Sequence, residues 1–308
     1  MVLCMKKQSQ LYKSFKYSLP YYLLLLLPVT YLIVFKYAPI YGVQIAFREF
    51  KASLGFFNSP WVGLKYFNMF ISAPSFWRII RNTLLLSVYS LLMGTPLAIV
   101  LAIALNECKL RRFKKTIQMI TYMPYFISTV VLVTMLSQFT NMQFGIINIG
   151  LEALGFPRRD FMGILNAFPH MYVWSGIWQT TGYSAVVYIA ALSGINTELY
   201  DAATVDGANK LQKILNVDLP GIAPTIIVLF ILNTGSILNV GFEKVFLLQN
   251  GINLTVSEIL STYVYKLGLK NFNYSFSTMV GLFNSVVSLV LLVICNMVSS
   301  KLSDTSLW

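Results

Sequence analysis

Six long apolar stretches dominate the sequence, and each is long enough to cross a lipid bilayer as a helix. A spanning helix needs about 20 mostly apolar residues, and the hydrocarbon core admits only structures that satisfy their own backbone hydrogen bonds. The stretches cover residues 19–37, 79–105, 117–139, 167–192, 224–248 and 276–298. They predict an all-α membrane protein with six transmembrane helices and no separate soluble domain.

Composition supports a lipid-facing surface. Only 11% of the residues are charged and 56% are hydrophobic, whereas soluble domains carry about 25% charged residues. The net charge of +12 comes mostly from residues between the apolar stretches, which favours anionic lipid headgroups over nucleic acid as the partner. One histidine and three scattered cysteines give no metal-ligand pattern and no disulfide framework. We therefore predict no metal site and no catalytic residue.

Basic residues between the stretches predict the orientation. Lysines in the N-terminal tail and the basic run at 109–115 fall on the same side of a six-span chain, and that side is expected to be cytoplasmic. We predict a cytoplasmic tail over residues 1–18, a permease domain over 19–308 and both termini in the cytoplasm. The aromatic-rich segment 41–75 then lies at the outer interface or packs on the bundle.

The loop between the fourth and fifth stretches predicts two short helices joined by a hinge. Asn196 is a suitable N-cap for the first helix, with Glu198 in its first turn. Gly207 permits a sharp bend. Asn209 and Gln212 have capping-box spacing at the start of the second helix.

The second of these helices carries an apolar stripe and is expected to stop at Pro220. From the residues alone, the loop either docks onto a partner or tucks against its own bundle. The stripe consists of Leu211, Ile214 and Leu215.

The same loop resembles a known motif. The run Asp201-Ala202-Ala203-x-x-Asp206-Gly207-Ala208, followed by Leu219-Pro220 and Pro224, resembles the EAA motif of permease subunits in binding-protein-dependent ABC importers, with Asp201 where the family has glutamate. Trp61-Val62-Gly63-Leu64-x-x-Phe67 is similar to sugar permeases related to the maltose system. Residues 37–47 and Asn106-Glu107 are similar to the LplB-type branch of oligosaccharide permeases.

The resemblance implies a type I ABC importer permease fold in a Gram-positive bacterial cell membrane. The EAA loop, at about residues 196–224, would be the coupling helix that sits in a groove of a cytoplasmic ATPase subunit. The contact residues it implies are Asp201, Ala202, Ala203, Asp206, Gly207, Ala208, Leu215, Leu219 and Pro220.

The resemblance also implies the partners of the chain. The sequence has no G-x-x-x-x-G-K-[ST] phosphate loop, so we expect ATP and Mg²⁺ to be bound by the partner ATPase and no cofactor by this chain. The expected assembly contains two ATPase subunits, a second homologous permease and an extracellular solute-binding lipoprotein. The outer segments 41–75, 141–166 and 250–273 are the expected docking surface for that lipoprotein.

Polar and aromatic residues within the fourth and fifth stretches suggest a solute path. Polar groups at membrane depth usually face a bundle interior or a cavity, and sugars bind to aromatic faces and amides. Interhelical hydrogen bonds and interfacial tryptophans explain any single residue equally well. The candidate path residues are Trp174, Trp178, Gln179, Tyr183, Asn233, Ser236, Asn239 and Glu243.

These observations predict the permease subunit of an ATP-driven importer of a carbohydrate, most simply an oligosaccharide. An importer permease for another solute is the nearest alternative. A stand-alone secondary transporter would show a buried ionisable pathway or an inverted repeat, and neither is visible in the sequence. It would also leave the 196–224 loop without a role.

Overall fold

The computed structural model describes the backbone of residues 2–303 and of residue 306. Within this part of the chain the structure is helical, and the extended pairing is a single bridge between Arg48 and Trp61. This confirms the all-α prediction. The α-helices are α1 (Val2–Leu32), α2 (Gly55–Asn58), α3 (Lys65–Ile71), α4 (Phe76–Glu107), α5 (Arg111–Tyr122), α6 (Thr129–Phe139), α7 (Ile146–Ala153), α8 (Ala167–Ser193), α9 (Thr197–Val205), α10 (Lys210–Lys213), α11 (Leu219–Gly235), α12 (Phe242–Leu248), α13 (Leu254–Ser257), α14 (Leu260–Tyr265) and α15 (Tyr274–Ser303).

Among the described residues, four helical segments are long and apolar enough to cross a membrane. They are Tyr17–Phe47, Phe76–Glu107, Lys210–Gly235 and Tyr274–Lys301, and a bent pair formed by α5 and α6 raises the number to five. α8 covers the predicted fourth span as a helix of 27 residues, although it is not among these apolar segments. The first of the segments continues beyond α1 through a π turn (Ile33–Tyr37) and a 3-10 segment (Ala38–Phe47).

The prediction of one continuous helix over residues 117–139 is wrong. α5 is followed by a 3-10 turn (Met123–Phe126), and the axis bends by 99° before α6 begins. Pro124 cannot donate the backbone hydrogen bond that an α-helix requires. Ser128 then starts a new helix, because its hydroxyl accepts a hydrogen bond from the N–H of Val131 at 3.4 Å.

The predicted bounds of the fifth span are also wrong, because Pro220 does not end a helix. α10, a π turn (Ile214–Asp218) and α11 form one rod from Lys210 to Gly235. In the π turn the N–H of Leu219 donates to the carbonyl of Ile214, and this wide turn accommodates the following proline. The rod ends at Gly235, where a Cβ atom would lie 2.4 Å from Leu292 Cδ1 of α15.

Close packing of α4 and α8 organises the centre of the bundle. Small residues on both helices, including Ala98, Ala102 and Ala185, are buried in one cluster with Ile222 of α11. Small side chains let membrane helices approach closely, which increases van der Waals contact. The cluster lies at the end of the bundle that carries α9 and α10.

The aromatic segment 41–75 packs on the bundle. Tyr66 and Phe70 of α3 are buried against Phe276 of α15 and Phe76 of α4. The ring of Phe70 meets that of Phe76 edge to face, with centroids 4.9 Å apart, an arrangement that aromatic pairs favour. Trp61 remains exposed, so the segment has both a packed face and an open face.

Candidate functional site

The loop between α8 and α11 forms two helices and a sharp hinge, as predicted. Asn196 caps α9 through a 3.0 Å hydrogen bond that its side-chain oxygen accepts from the N–H of Glu198. α9 ends in a Schellman motif. Gly207 donates to the carbonyl of Thr204 at 3.1 Å, and Ala208 donates to that of Ala203 at 2.9 Å. Gly207 has φ +73°, a conformation that favours glycine.

The second helix begins with the predicted capping box. The N–H of Gln212 donates to Asn209 Oδ1 at 3.0 Å, and the N–H of Asn209 donates to Gln212 Oε1 at 2.7 Å. The residues of the predicted apolar stripe differ in burial. Ile214 packs against the buried cluster that contains Ile222, whereas Leu211 is 64% exposed.

Most of the predicted coupling residues lie on the surface of the loop. Only Ala203, Ala208 and Leu219 are partly buried. Val205, which was not predicted, is 88% exposed and adds an apolar side chain to the same surface. We call this set the loop surface; its exposed members are Asp201, Ala202, Val205, Asp206, Gly207, Leu211, Leu215 and Pro220.

A buried carboxylate joins α9 to the rod that contains α11. Tyr200 of α9 donates a hydrogen bond to Asp218 Oδ1 at 2.5 Å. Asp218 lies in the π turn and is fully buried. Burial, and then the neighbouring Asp218 carboxylate, raise the pKa of the Tyr200 phenol, so the hydroxyl stays protonated and remains a donor. The sequence prediction missed this pair, because the two residues are separated by the hinge.

A cavity of about 450 Å³ lies between α4, α8 and α11. Four predicted path residues line it, namely Tyr183, Asn233, Ser236 and Asn239. The other hydroxyl-bearing side chains of α4 and α8 that line it are Ser87, Ser90, Thr95, Tyr172, Thr180, Thr181, Ser184 and Tyr188.

The sequence contains a pattern of small and polar residues that indicates the α4 side of the cavity. Ser87, Ser90, Gly94 and Ala98 recur at intervals of three and four residues, so they share one face of a helix, and Thr95 lies beside Gly94. A stripe of small and polar residues within an otherwise apolar span indicates a face turned toward other helices or a cavity.

Several polar groups of the cavity are held in place by neighbours. Asn284 Nδ2 donates to Asn239 Oδ1 at 2.8 Å. The ring of Tyr183 stacks on that of Tyr125, with centroids 3.9 Å apart. Thr181 Oγ1 is buried and has no hydrogen-bond partner among the described residues. The wall therefore offers a fixed amide at Asn239 and an aromatic ring at Tyr183.

The other predicted path residues do not line this cavity. Trp174 and Trp178 line a separate apolar cavity of about 650 Å³ next to α6 and α7, and the indole of Trp174 donates to the hydroxyl of Tyr89 at 3.0 Å. Gln179 Nε2 donates to the carbonyl of Ile127 at 2.7 Å, which fixes the bend between α5 and α6. Glu243 is exposed in the first turn of α12.

Comparison with known proteins identifies the family of this chain. Residues 94–304 match the model of the family described as binding-protein-dependent transport system inner membrane component. The chain belongs to this family. The matched range contains the loop surface, the Tyr200–Asp218 pair and most of the cavity wall.

Individual relatives extend the similarity over nearly the whole chain. Protein LplB of Bacillus subtilis is 40% identical over 287 residues, which cover 93% of this chain and 90% of the relative. The polygalacturonan/rhamnogalacturonan transport system permease protein YteP of the same organism is 37% identical, with coverage of 93% and 89%.

A solved structure shares the fold. It is a chain of a bacterial alginate ABC transporter in complex with an alginate pentasaccharide-bound periplasmic protein. The TM-score is 0.88 with 35% sequence identity, covering 96% of this chain and 99% of that chain. The fold is thus that of a type I ABC importer permease.

Proposed function

We propose that this chain is the membrane-spanning subunit of an ATP-driven importer that carries an oligosaccharide into the cell. The observation that carries the proposal is the loop surface: a capped and hinged pair of helices stands out from the bundle with its apolar residues uncovered. Val205 and Leu211 are 88% and 64% exposed. An apolar patch that remains exposed on well-formed helices indicates an interaction site.

The partner proposed for the loop surface is an ATPase subunit. The small side chain of Ala202 permits close approach, and the Gly207 hinge lets α10 leave α9 at an angle. Coupling residues are Asp201, Ala202, Ala203, Asp206, Gly207, Ala208, Leu215, Leu219 and Pro220. ATP and Mg²⁺ would be bound by that ATPase rather than by this chain.

The proposed topology has six crossings, with both termini in the cytoplasm. The six crossings would be the four apolar segments, the bent α5–α6 pair and α8. The basic run that includes Arg111, Arg112, Lys114 and Lys115 would lie on the same side as the loop surface, in agreement with the positive-inside rule. The membrane is proposed to be that of a Gram-positive bacterium, since LplB and YteP come from Bacillus subtilis.

The cavity supports a carbohydrate as the solute. Hydroxyl and amide side chains that line a cavity at membrane depth match the hydrogen-bonding groups of a sugar, and the Tyr183 ring supplies an aromatic face. The names of YteP and of the alginate transporter point to oligosaccharides derived from polysaccharides. The full assembly would contain a second homologous permease, two ATPase subunits and an extracellular solute-binding lipoprotein.

Copurification and uptake test the proposal. The chain, expressed with its genomic neighbours, should retain an ATPase subunit and a second permease in detergent. Proteoliposomes of this complex, supplied with the lipoprotein, should import one of two labelled probes, tetragalacturonate or maltotriose, only with internal ATP. Retention of no ATPase would reject the importer, whereas ATP hydrolysis without uptake of either probe would reject only the proposed solute class.

One pair of variants tests the loop surface. Ala202→Trp places a large side chain on the surface and should abolish retention of the ATPase, because the groove contact needs a small residue. Ala202→Ser keeps the size and should retain it. Full retention by the tryptophan variant would exclude Ala202 from the contact.

A further inference from the structure

The Tyr200–Asp218 pair is a direct side-chain link between α9 and the rod that lines the cavity. Along the chain, α9 is joined to the rod by the Gly207 turn, which is closed by backbone hydrogen bonds from Gly207 to Thr204 and from Ala208 to Ala203. The rod then runs from the capping box of α10 to Asp218 before α11 begins. A side-chain contact that joins α9 directly to Asp218 bypasses this turn and acts at the base of α11.

Two side-chain hydrogen bonds cross the hinge. One joins Lys213 Nζ to Thr204 Oγ1 at 2.8 Å, and it is exposed. The other joins Tyr200 to Asp218 and is partly buried. An exposed bond of a flexible lysine competes with water, whereas a bond to a fully buried carboxylate is held by its surroundings.

Asp218 is placed to pass this contact to the cavity wall. It belongs to the π turn that continues directly into α11, and α11 carries Asn233 at the cavity. Its Oδ2 atom has no hydrogen-bond partner among the described residues. The hydrogen bond from Tyr200 to Oδ1 is thus the polar attachment of this carboxylate.

We infer that the Tyr200–Asp218 hydrogen bond transmits the movement of α9 to α11, which makes Asp218 a positioning residue for transport. The inference rests on the proposed function, because it takes an ATPase subunit as the source of the movement. Such coupling needs an element with two arrangements that both sites bias. The rod from Lys210 to Gly235 is that element.

The test measures two distances in the complete transporter, with its ATPase, second permease and lipoprotein, before and after ATP is added. Spin labels at Leu199→Cys and Leu110→Cys report α9. Labels at Leu232→Cys and Val186→Cys report α11 against α8. All four positions are exposed. The native cysteines Cys4, Cys108 and Cys295 are replaced by alanine in every sample.

Tyr200→Phe removes the donor and leaves the ring. We expect ATP to change both distances in the parent protein, and in Tyr200→Phe we expect the α9 change to persist and the α11 change to be lost. Lys213→Met removes the donor of the exposed link and should keep both changes. Asp218→Asn keeps an acceptor oxygen and should also keep both.

Each other outcome overturns the inference. An α11 change that survives Tyr200→Phe shows that another route carries the movement. If Tyr200→Phe loses both distance changes, or if Asp218→Asn loses either of them, the Tyr200–Asp218 pair has a merely structural role. If ATP does not change the α11 distance in the parent protein, there is no movement for the hydrogen bond to transmit. A complex that holds no ATPase is a failure of the proposed function and is recognised before any label is introduced.

Discussion

Gly182 of α8 lies directly against the backbone of Thr121 in α5. A Cβ atom on Gly182 would be 2.0 Å from the carbonyl oxygen of Thr121, so no larger residue fits unless the helices move apart. This crossing holds the bent α5–α6 segment against the helix that lines the cavity.

Gly182→Ala should therefore destabilise the bundle. Overpacking of a close contact typically costs about 1–3 kcal/mol, and the midpoint of thermal unfolding in detergent should fall. Gly281→Ala is the matched control, because that glycine also lies in a long helix but has no atom within 4 Å of its Cβ position. Equal midpoints for the two variants would contradict the close crossing.

The cavity wall should govern uptake. Asn233→Leu replaces an amide that lines the cavity with an apolar group, and the loss of a hydrogen bond of about 1.4 kcal/mol lowers binding roughly tenfold. We expect a corresponding drop in uptake of the transported probe, with ATPase retention unchanged. Leu232→Ala, at an exposed neighbouring position, should leave uptake intact. Normal uptake by the Asn233 variant would argue against this cavity as the path.

The conformation of Gly207 should matter for binding of the ATPase. An L-residue with a side chain in this left-handed conformation costs about 1–2 kcal/mol, so Gly207→Ala should weaken ATPase retention in a titration of the purified subunit. Gly207→Asn should weaken it less, because asparagine tolerates left-handed backbone better than alanine does. The reverse order of the two variants would mean that side-chain size, rather than backbone strain, sets the effect.

Glu258 should be an important ionic group of the bundle. Its carboxylate is buried and lies 3.1 Å from Arg78 and 3.3 Å from Lys266. Glu258→Gln leaves two cations without their counter-charge, and we expect a loss of about 2 kcal/mol in thermal unfolding. Glu49→Gln breaks the exposed ion pair with Lys65 and should cost less than about 1 kcal/mol. A similar loss for both variants would indicate that burial of Glu258 is unimportant.

Local rules predicted the loop between α8 and α11 well. Capping by Asn196 and Asn209 and the bend at Gly207 depend on residues within one turn of each other, so they can be read from a short window. The same reasoning failed at Pro220, because a π turn upstream removes the conflict between a helix and a proline. Nothing in the residues before Pro220 signals that wider turn.

Helical geometry explains which path residues were misplaced. Trp174 and Tyr183 are nine residues apart, which is about 900° around an α-helix and places them on opposite faces. They cannot both line one cavity, and the structure puts them on different cavities. Periodicity thus identified two polar faces, but only the packing of α4 and α11 shows which face is enclosed.

The π turn at residues 214–218 also sets the phase of the rod. One extra residue in a turn rotates everything beyond it by about 100° relative to a regular α-helix. That rotation lets a single rod point Leu211 away from the bundle at one end and Asn233 into the cavity at the other. Deleting one residue from this turn would rotate the Asn233 amide out of the cavity while leaving the length of the rod almost unchanged. The number of residues between the loop and the cavity wall is therefore constrained, as well as their identity.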